Sequence, residues 1–153
     1  MTLDRYDKKL LTLLQENNRL SQRDLAEAVN LSASAVNRRI AALEAAGVIT
    51  HNVSIVDPSK CGRPLTILVK VRLENERLDL LTAHKQAFNA CPQVQQAYYV
   101  TGDHDFFLIL NVKDMAEYEA LTQTLFFASD NIKGFETVVA MSNTKQSLKV
   151  LID

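Results

Sequence analysis

Residues 20–49 read LSQRDLAEAVNLSASAVNRRIAALEAAGVI, and this run predicts two short capped helices joined by a tight turn. Ser21 followed by Asp24 has the spacing of a capping box, with an acidic first turn that complements the helix dipole. Leu25 and Val29 lie one turn apart and give this helix an inward edge, before Asn30 and Leu31 lead to a second cap at Ser32. In the helix that follows, Val36, Ile40 and Leu43 share one stripe. Ser34, Arg38 and Ala41 then lie opposite, Asn37 on the flank and Arg39 beside the apolar edge. Gly47 ends it as a C′ residue. Helices this short cannot bury their own apolar faces. Leu3, Tyr6, Leu10, Leu13 and Leu14, at three- and four-residue steps, predict a supporting helix over residues 4–16.

Three helices with a polar, basic outer row fit a helix-turn-helix whose second helix enters a DNA groove. Arg38 is the leading contact, able to grip a guanine edge or a phosphate, while Asn37 suits adenine and Ser34 suits base or backbone. Ser32 either only caps or also offers a helix N-terminus to a phosphate. Arg39 has two readings, an ion pair with a neighbouring helix or a phosphate contact. The β-branched run Val48 to Val56, ending at Asp57-Pro58, predicts a short hairpin wing carrying His51, which reads either as a phosphate contact or as a solvated or hydrogen-bonded turn residue.

Composition sets the outer limits. The 153 residues are 47% hydrophobic and 23% charged, as in a globular protein. No run reaches the roughly 18 apolar residues of a membrane span, and the N-terminus is polar and acidic, so a cytoplasmic location is expected. Cys61 and Cys91 are isolated and read as plain thiols, and no metal or cofactor is expected. Residues 1–57 carry seven Lys and Arg against seven Asp and Glu, and the remainder ten against eleven. A neutral domain gains little from counterion release, so useful DNA affinity requires two or more copies on one duplex.

Residues 58–64, with two prolines and a glycine, read as a linker. Beyond them the patterns predict a strand over 65–73, a helix over 78–90, strands over 94–100 and 106–112, a helix over 115–128 and a last strand over 137–141. That order, βαββαβ, is a ferredoxin-like sandwich. Tyr98, Tyr99, Phe106 and Phe107 place aromatics on both faces of its sheet, so the side without helices is expected to pack on another subunit. His84 shares a stripe with Leu81 and Phe88 and reads as a satisfied, half-buried histidine.

The turn Thr101-Gly102-Asp103-His104-Asp105 has two readings. It can be a plain hairpin turn, or its amides and carboxylates can hold the two charges of a free amino acid.

The run Leu-Ser-x-Ser-x-Val-x-x-Arg-Ile-x-x-Leu-Glu-x-x-Gly-Val-Ile at 31–49, the turn at 101–105 and Thr-Lys-Gln-Ser at 144–147 resemble the Lrp/AsnC family of prokaryotic transcription regulators. The resemblance implies an α+β protein with a winged helix-turn-helix over 1–57, a linker over 58–64 and a ferredoxin-like ligand-sensing domain over 65–153. It also implies dimers paired through their sheets, usually assembled into octamers that wrap DNA. Thr101, Gly102, Asp103, His104, Asp105 and Thr137, at the start of the last strand, would line an amino-acid pocket between dimers. His104 stands where Tyr is frequent and Phe135 where a small polar residue is common, so effector identity does not carry over. The expected function is a DNA-binding transcription regulator that answers to a small effector, and not an enzyme. Two alternatives are a tetrapyrrole decarboxylase-like enzyme on this fold and an amino-acid sensor acting on a protein partner. No paired nucleophile and base supports the first, and the outward Asn37 and Arg38 speak against the second.

Overall fold

The computed structural model describes residues 1–153 and divides into two compact units, Met1–Ser54 with Lys145–Asp153, and Ile55–Thr144. The first unit holds α1 (Arg5–Glu16), α2 (Gln22–Val29) and α3 (Ala33–Ala45). Asp4 caps α1 by accepting from the Tyr6 and Asp7 amides at 2.8 and 2.9 Å, and Asp7 returns a bond from the Asp4 amide at 3.1 Å. Ser21 and Asp24 form the anticipated box on α2, and Asn30, at φ +55°, turns the chain out of that helix. Leu10, Leu25, Val29 and Val36 make the core of the three helices, with Tyr6, Leu13, Leu14, Leu20 and Ile40 packed around them.

The expected wing does not form. Residues 50–57 contain no strand, Val53, Ile55 and Val56 are 60%, 84% and 63% exposed, and His51 lies in this irregular exposed segment. The run is β-prone, yet it has no Gly-containing turn to double it back and no second strand in the chain to bond to, and a lone strand gains nothing from propensity. The C-terminal residues 145–153 belong to the helical unit. The Gln15 side chain pairs with the Val150 backbone in both directions, at 2.7 and 3.0 Å, and Lys149 meets Glu16 at 2.8 Å.

The second unit is a four-stranded antiparallel sheet in the order β2-β3-β1-β4, with β1 Leu65–Leu73, β2 Val94–Tyr99, β3 Phe106–Val112 and β4 Ile132–Val139. Two helices, α4 (Leu78–Ala90) and α5 (Met115–Thr122), complete it, and α5 runs on into a wider π-helical turn over Gln123–Phe127. Ile67, Val69, Val71, Phe106, Leu108 and Leu110 point into a core closed by Leu81, Phe88, Tyr118 and Phe126. The opposite sheet face carries Leu68, Lys70, Tyr98, Phe107, Ile109 and Val138, with Tyr98 half exposed.

The last strand begins at Ile132 and not at Thr137. Lys133 and Gly134 weaken the local pattern, but pairing with β1 overrides it: Gly134 sits opposite Arg72 beside an irregularity in the register. The segment expected to be a linker is a folded turn, with the Cys61 and Arg63 amides donating to Pro58 O at 3.1 and 2.8 Å and Gly62 at φ +76°. His84 is buried against Phe88, and its Nε2 accepts from Asn131 Nδ2 at 3.1 Å. Burial pushes its pKa down, which favours the neutral ring that such an acceptor requires.

Candidate DNA-reading helix and effector turn

Helix α3 is closed at both ends. Ser32 Oγ accepts from the Ala35 amide at 3.2 Å and lies 3.1 Å from Ser34 Oγ. At the other end Gly47, at φ +69°, lets the Val48 amide reach Leu43 O and the Gly47 amide reach Glu44 O, both at 2.9 Å. Between the caps Val36 and Leu43 are fully buried, while Ser34, Asn37, Arg38 and Ala41 are exposed in one row. The side chains of Asn37 and Arg38 engage no other group of the chain, so their hydrogen-bonding atoms face water.

Arg39 is turned the other way. Its Nη1 donates to Asp4 Oδ2 and Asp7 Oδ1, both at 2.8 Å, and its guanidinium lies 5.2 Å from the centre of the Tyr6 ring. The Asp7 amide, then Arg39 and the Tyr6 amide, hold the Asp4 carboxyl below its ordinary range. Of the two readings of Arg39, these contacts support the ion pair. Since the Asp7 side chain is only 5% exposed, Arg39→Ala leaves a buried carboxylate without its cation. The expected result is a clearly lowered thermal midpoint with DNA sequence preference intact. Unfolding curves beside gel-shift competition check this, and an unchanged midpoint would remove the structural role.

No motif or period in the sequence singles out Arg19 and Arg23, which flank the N-terminal end of α2. Both are exposed and neither pairs with a carboxylate. Their charge is visible in the sequence, but that they are free of partners is a fact of geometry.

In the second unit Gly102, at φ +106°, shapes the turn between β2 and β3. Asp105 anchors it: its amide donates to Val71 O at 2.8 Å, its carbonyl accepts from Val100 N at 2.9 Å, and its Oδ2 accepts from Leu73 N at 2.6 Å. Arg72 Nε donates to Asp103 O at 2.9 Å. Thr101, Gly102 and Asp103 are exposed, and the amides of Gly102, Asp103 and His104 donate to no group of the chain. His104 Nε2 is 3.9 Å from Glu136 Oε2, and Lys70 reaches the same carboxylate at 3.4 Å. The nearby Asp105 carboxylate raises the pKa of Glu76, against a hydrogen bond from Tyr99 that lowers it.

Thr137 is not gathered into this turn within one chain. It pairs with Val69 on the helix-facing side, where its hydroxyl bonds to that of Tyr118, while its neighbour Glu136 faces the turn's histidine. Phe135 packs against Phe126, ring centres 4.5 Å apart. A groove of about 550 Å³ between α4 and β2, lined by Lys85, Phe88, Ala97 and Tyr99, does not include the turn.

Two family models match the chain. Residues 3–50 match winged helix-turn-helix DNA-binding domains, and residues 66–150 match the Lrp/AsnC ligand binding domain. An uncharacterized HTH-type transcriptional regulator of Sinorhizobium fredii is 46% identical over 153 residues, all of this chain and 90% of that one. The leucine-responsive regulatory protein of Haemophilus influenzae is 32% identical over 145 residues, 95% of this chain and 87% of its own. The crystal structure of an AsnC family transcriptional regulator from Agrobacterium tumefaciens superposes with a TM-score of 0.91 at 32% identity, covering 97% of each chain. A DNA-binding helix-turn-helix followed by an amino-acid-type effector domain is therefore what this sequence encodes, and the chain belongs to the Lrp/AsnC family of transcription regulators.

Proposed function

We propose that two copies of this chain present their α3 helices to successive major grooves of one operator, with Ser34, Asn37 and Arg38 at base edges. Ser32 and the unpaired Arg19 and Arg23 meet the phosphates, and Arg39 is reserved for packing. The observation that carries this reading is the exposed, unengaged row on a helix capped at both ends. Half-sites about one helical turn apart, or a multiple of it, follow from a two-fold pairing.

A second copy is also the natural partner for two unsatisfied features. The open sheet face is largely apolar, with Tyr98 and Val138 half exposed, and the β-prone residues 53–56 lack a strand to bond to. Pairing through these surfaces, and assembly of dimers into octamers, supplies the multiple DNA contacts that a neutral domain needs.

The turn at 101–105 is the effector site in this proposal. Its unengaged amides suit a carboxylate, and the Asp103 carboxylate, which bonds to no group of the chain, suits an ammonium group. Within one chain Thr137 lies on the helix-facing side of the sheet, so it joins the turn only across a boundary between copies. The effector then shifts the assembly equilibrium by no more than its differential affinity, typically about 1–3 kcal/mol per coupled pair of sites. Asp103→Ala is expected to abolish heat on titration with amino acids and to leave operator binding within about twofold, since it lies on an exposed turn. Calorimetry with the twenty amino acids beside a gel shift tests this. An Asp103→Ala protein that binds the same amino acid equally well would end the assignment.

A further inference from the structure

We infer that Arg72 makes the effector site selective for an amino acid bearing a second carboxylate, the class of L-glutamate and L-aspartate. The inference rests on the effector reading of the 101–105 turn and adds the charge of the ligand's side chain.

Arg72 is exposed near the end of β1, opposite Gly134 of β4. Its Nε is spent on Asp103 O, 2.9 Å away, which pins the guanidinium to the turn while Nη1 and Nη2 find no acceptor in the chain. The surroundings are acidic, with Asp103 and Asp105 in the turn, Glu76 beside Asp105, and Glu136 across the strand from Lys70. Asp105 is tied to the Leu73 amide and Glu136 to Lys70, and Arg72 forms an ion pair with none of these carboxylates. An arginine held through Nε keeps the two-pronged end of its guanidinium presented to solvent, the geometry that a carboxylate accepts with two parallel bonds.

The other charges of an amino acid are already served. The free amides at 102–104 suit the α-carboxylate and Asp103 suits the ammonium group, so Arg72 is a third point of contact. In this acidic setting a side-chain carboxylate without Arg72 would meet mostly like charge from this chain, because Lys70 and His104 both face Glu136. A neutral side chain would leave the guanidinium unused and gain nothing from it.

Calorimetric titration of the full-length protein with L-glutamate, L-aspartate, L-glutamine, L-asparagine and L-leucine tests the inference, with Arg72→Gln and Arg72→Lys as variants. One of the two acids is expected to bind the wild type at least about 10-fold tighter than its amide, a difference of the size that a charge-assisted, two-bond contact supplies. Arg72→Gln should erase that preference with an unchanged unfolding midpoint, and Arg72→Lys should keep part of it. Equal binding of acid and amide, or an Arg72→Gln protein that still prefers the acid, overturns the inference. Tight binding of L-leucine or an amide, lost in Asp103→Ala, sinks the role of Arg72 while the effector turn stands. No heat from any amino acid removes both.

Discussion

Arg38→Ala is expected to weaken operator binding by roughly 10- to 100-fold per recognition helix, since a bidentate arginine contact to guanine contributes about 1–3 kcal/mol of discrimination. The loss compounds when two copies share a site. Arg38 is exposed and bonded to nothing in the chain, so the same substitution should leave the unfolding midpoint where it was. That pairing of outcomes separates Arg38 from Arg39, one helix position away, whose loss acts on stability through Asp4 and Asp7. Arg23→Ala gives a third pattern. In the proposed arrangement Arg23 meets a phosphate, so its loss should weaken all sequences alike and lower the salt slope of binding by about one, whereas loss of a base-reading side chain should relax preference at one position. Gel-shift titrations at several salt concentrations, against operator and scrambled duplexes, distinguish the three. Undiminished operator affinity in Arg38→Ala would mean that α3 does not read bases through its outer row.

Neighbouring arginines that face opposite ways show how far the sequence can be read. The helix starts at Ser21 and Ser32 and the stop at Gly47 are local, set by side chains within four residues of the backbone groups they satisfy, and a pattern reading finds them. The strands 65–73 and 106–112 and the helix 78–90 are equally legible, because burial on a packed face enforces a strict period. The outward placement of Asn37 and Arg38 follows from the same arithmetic. What periodicity cannot supply is the partner of a polar group distant in the chain. Arg39 meets Asp7 across 32 residues and Arg72 meets the turn across 31, so a pattern reading leaves the first ambiguous and the second unnoticed. The start of β4 is misplaced for a related reason: Lys133 and Gly134 join a strand only because β1 lies alongside. The wing fails in the opposite sense, as residues with strand propensity find no strand within their own chain.

Glu117→Ala should destabilise the ligand-binding unit by about 2 kcal/mol, allowing for solvent screening at a side chain that retains 17% exposure. This carboxylate is a hub, marked in the sequence by the cap spacing Asp114-x-x-Glu117, which does not reveal its distant partners. It accepts from the Lys113 amide at 2.7 Å, from Gln93 Nε2 at 3.1 Å and from Arg63 Nη1 at 3.1 Å on both oxygens. Asn111 secures the same corner by donating to the carbonyls of Arg63 and Leu65 at 2.9 and 3.1 Å. The Lys113 amide first, then Gln93 and Arg63, depress the Glu117 pKa to about 2, against an upward push from burial that outweighs either of the latter two alone. The folded protein therefore releases this proton more readily than the unfolded chain, where the group titrates near its ordinary 4.5. Stability from the hub is complete above about pH 4.5 and is lost as the pH falls from there toward 2. Denaturant unfolding of wild type and Glu117→Ala between pH 7 and about 3 measures it, because the gap between the two proteins should narrow as the acid is added. Glu117→Gln keeps acceptor capacity at one oxygen and loses the charge, so it should fall between them at neutral pH and show none of the hub's acid sensitivity. A gap that stays constant across this range would mean that Glu117 stabilises through packing and not through its charge. The hub fastens the folded 58–63 turn to β3 and α5, so its loss should also raise hydrogen exchange at Cys61 and Arg63, whose amides bond to Pro58.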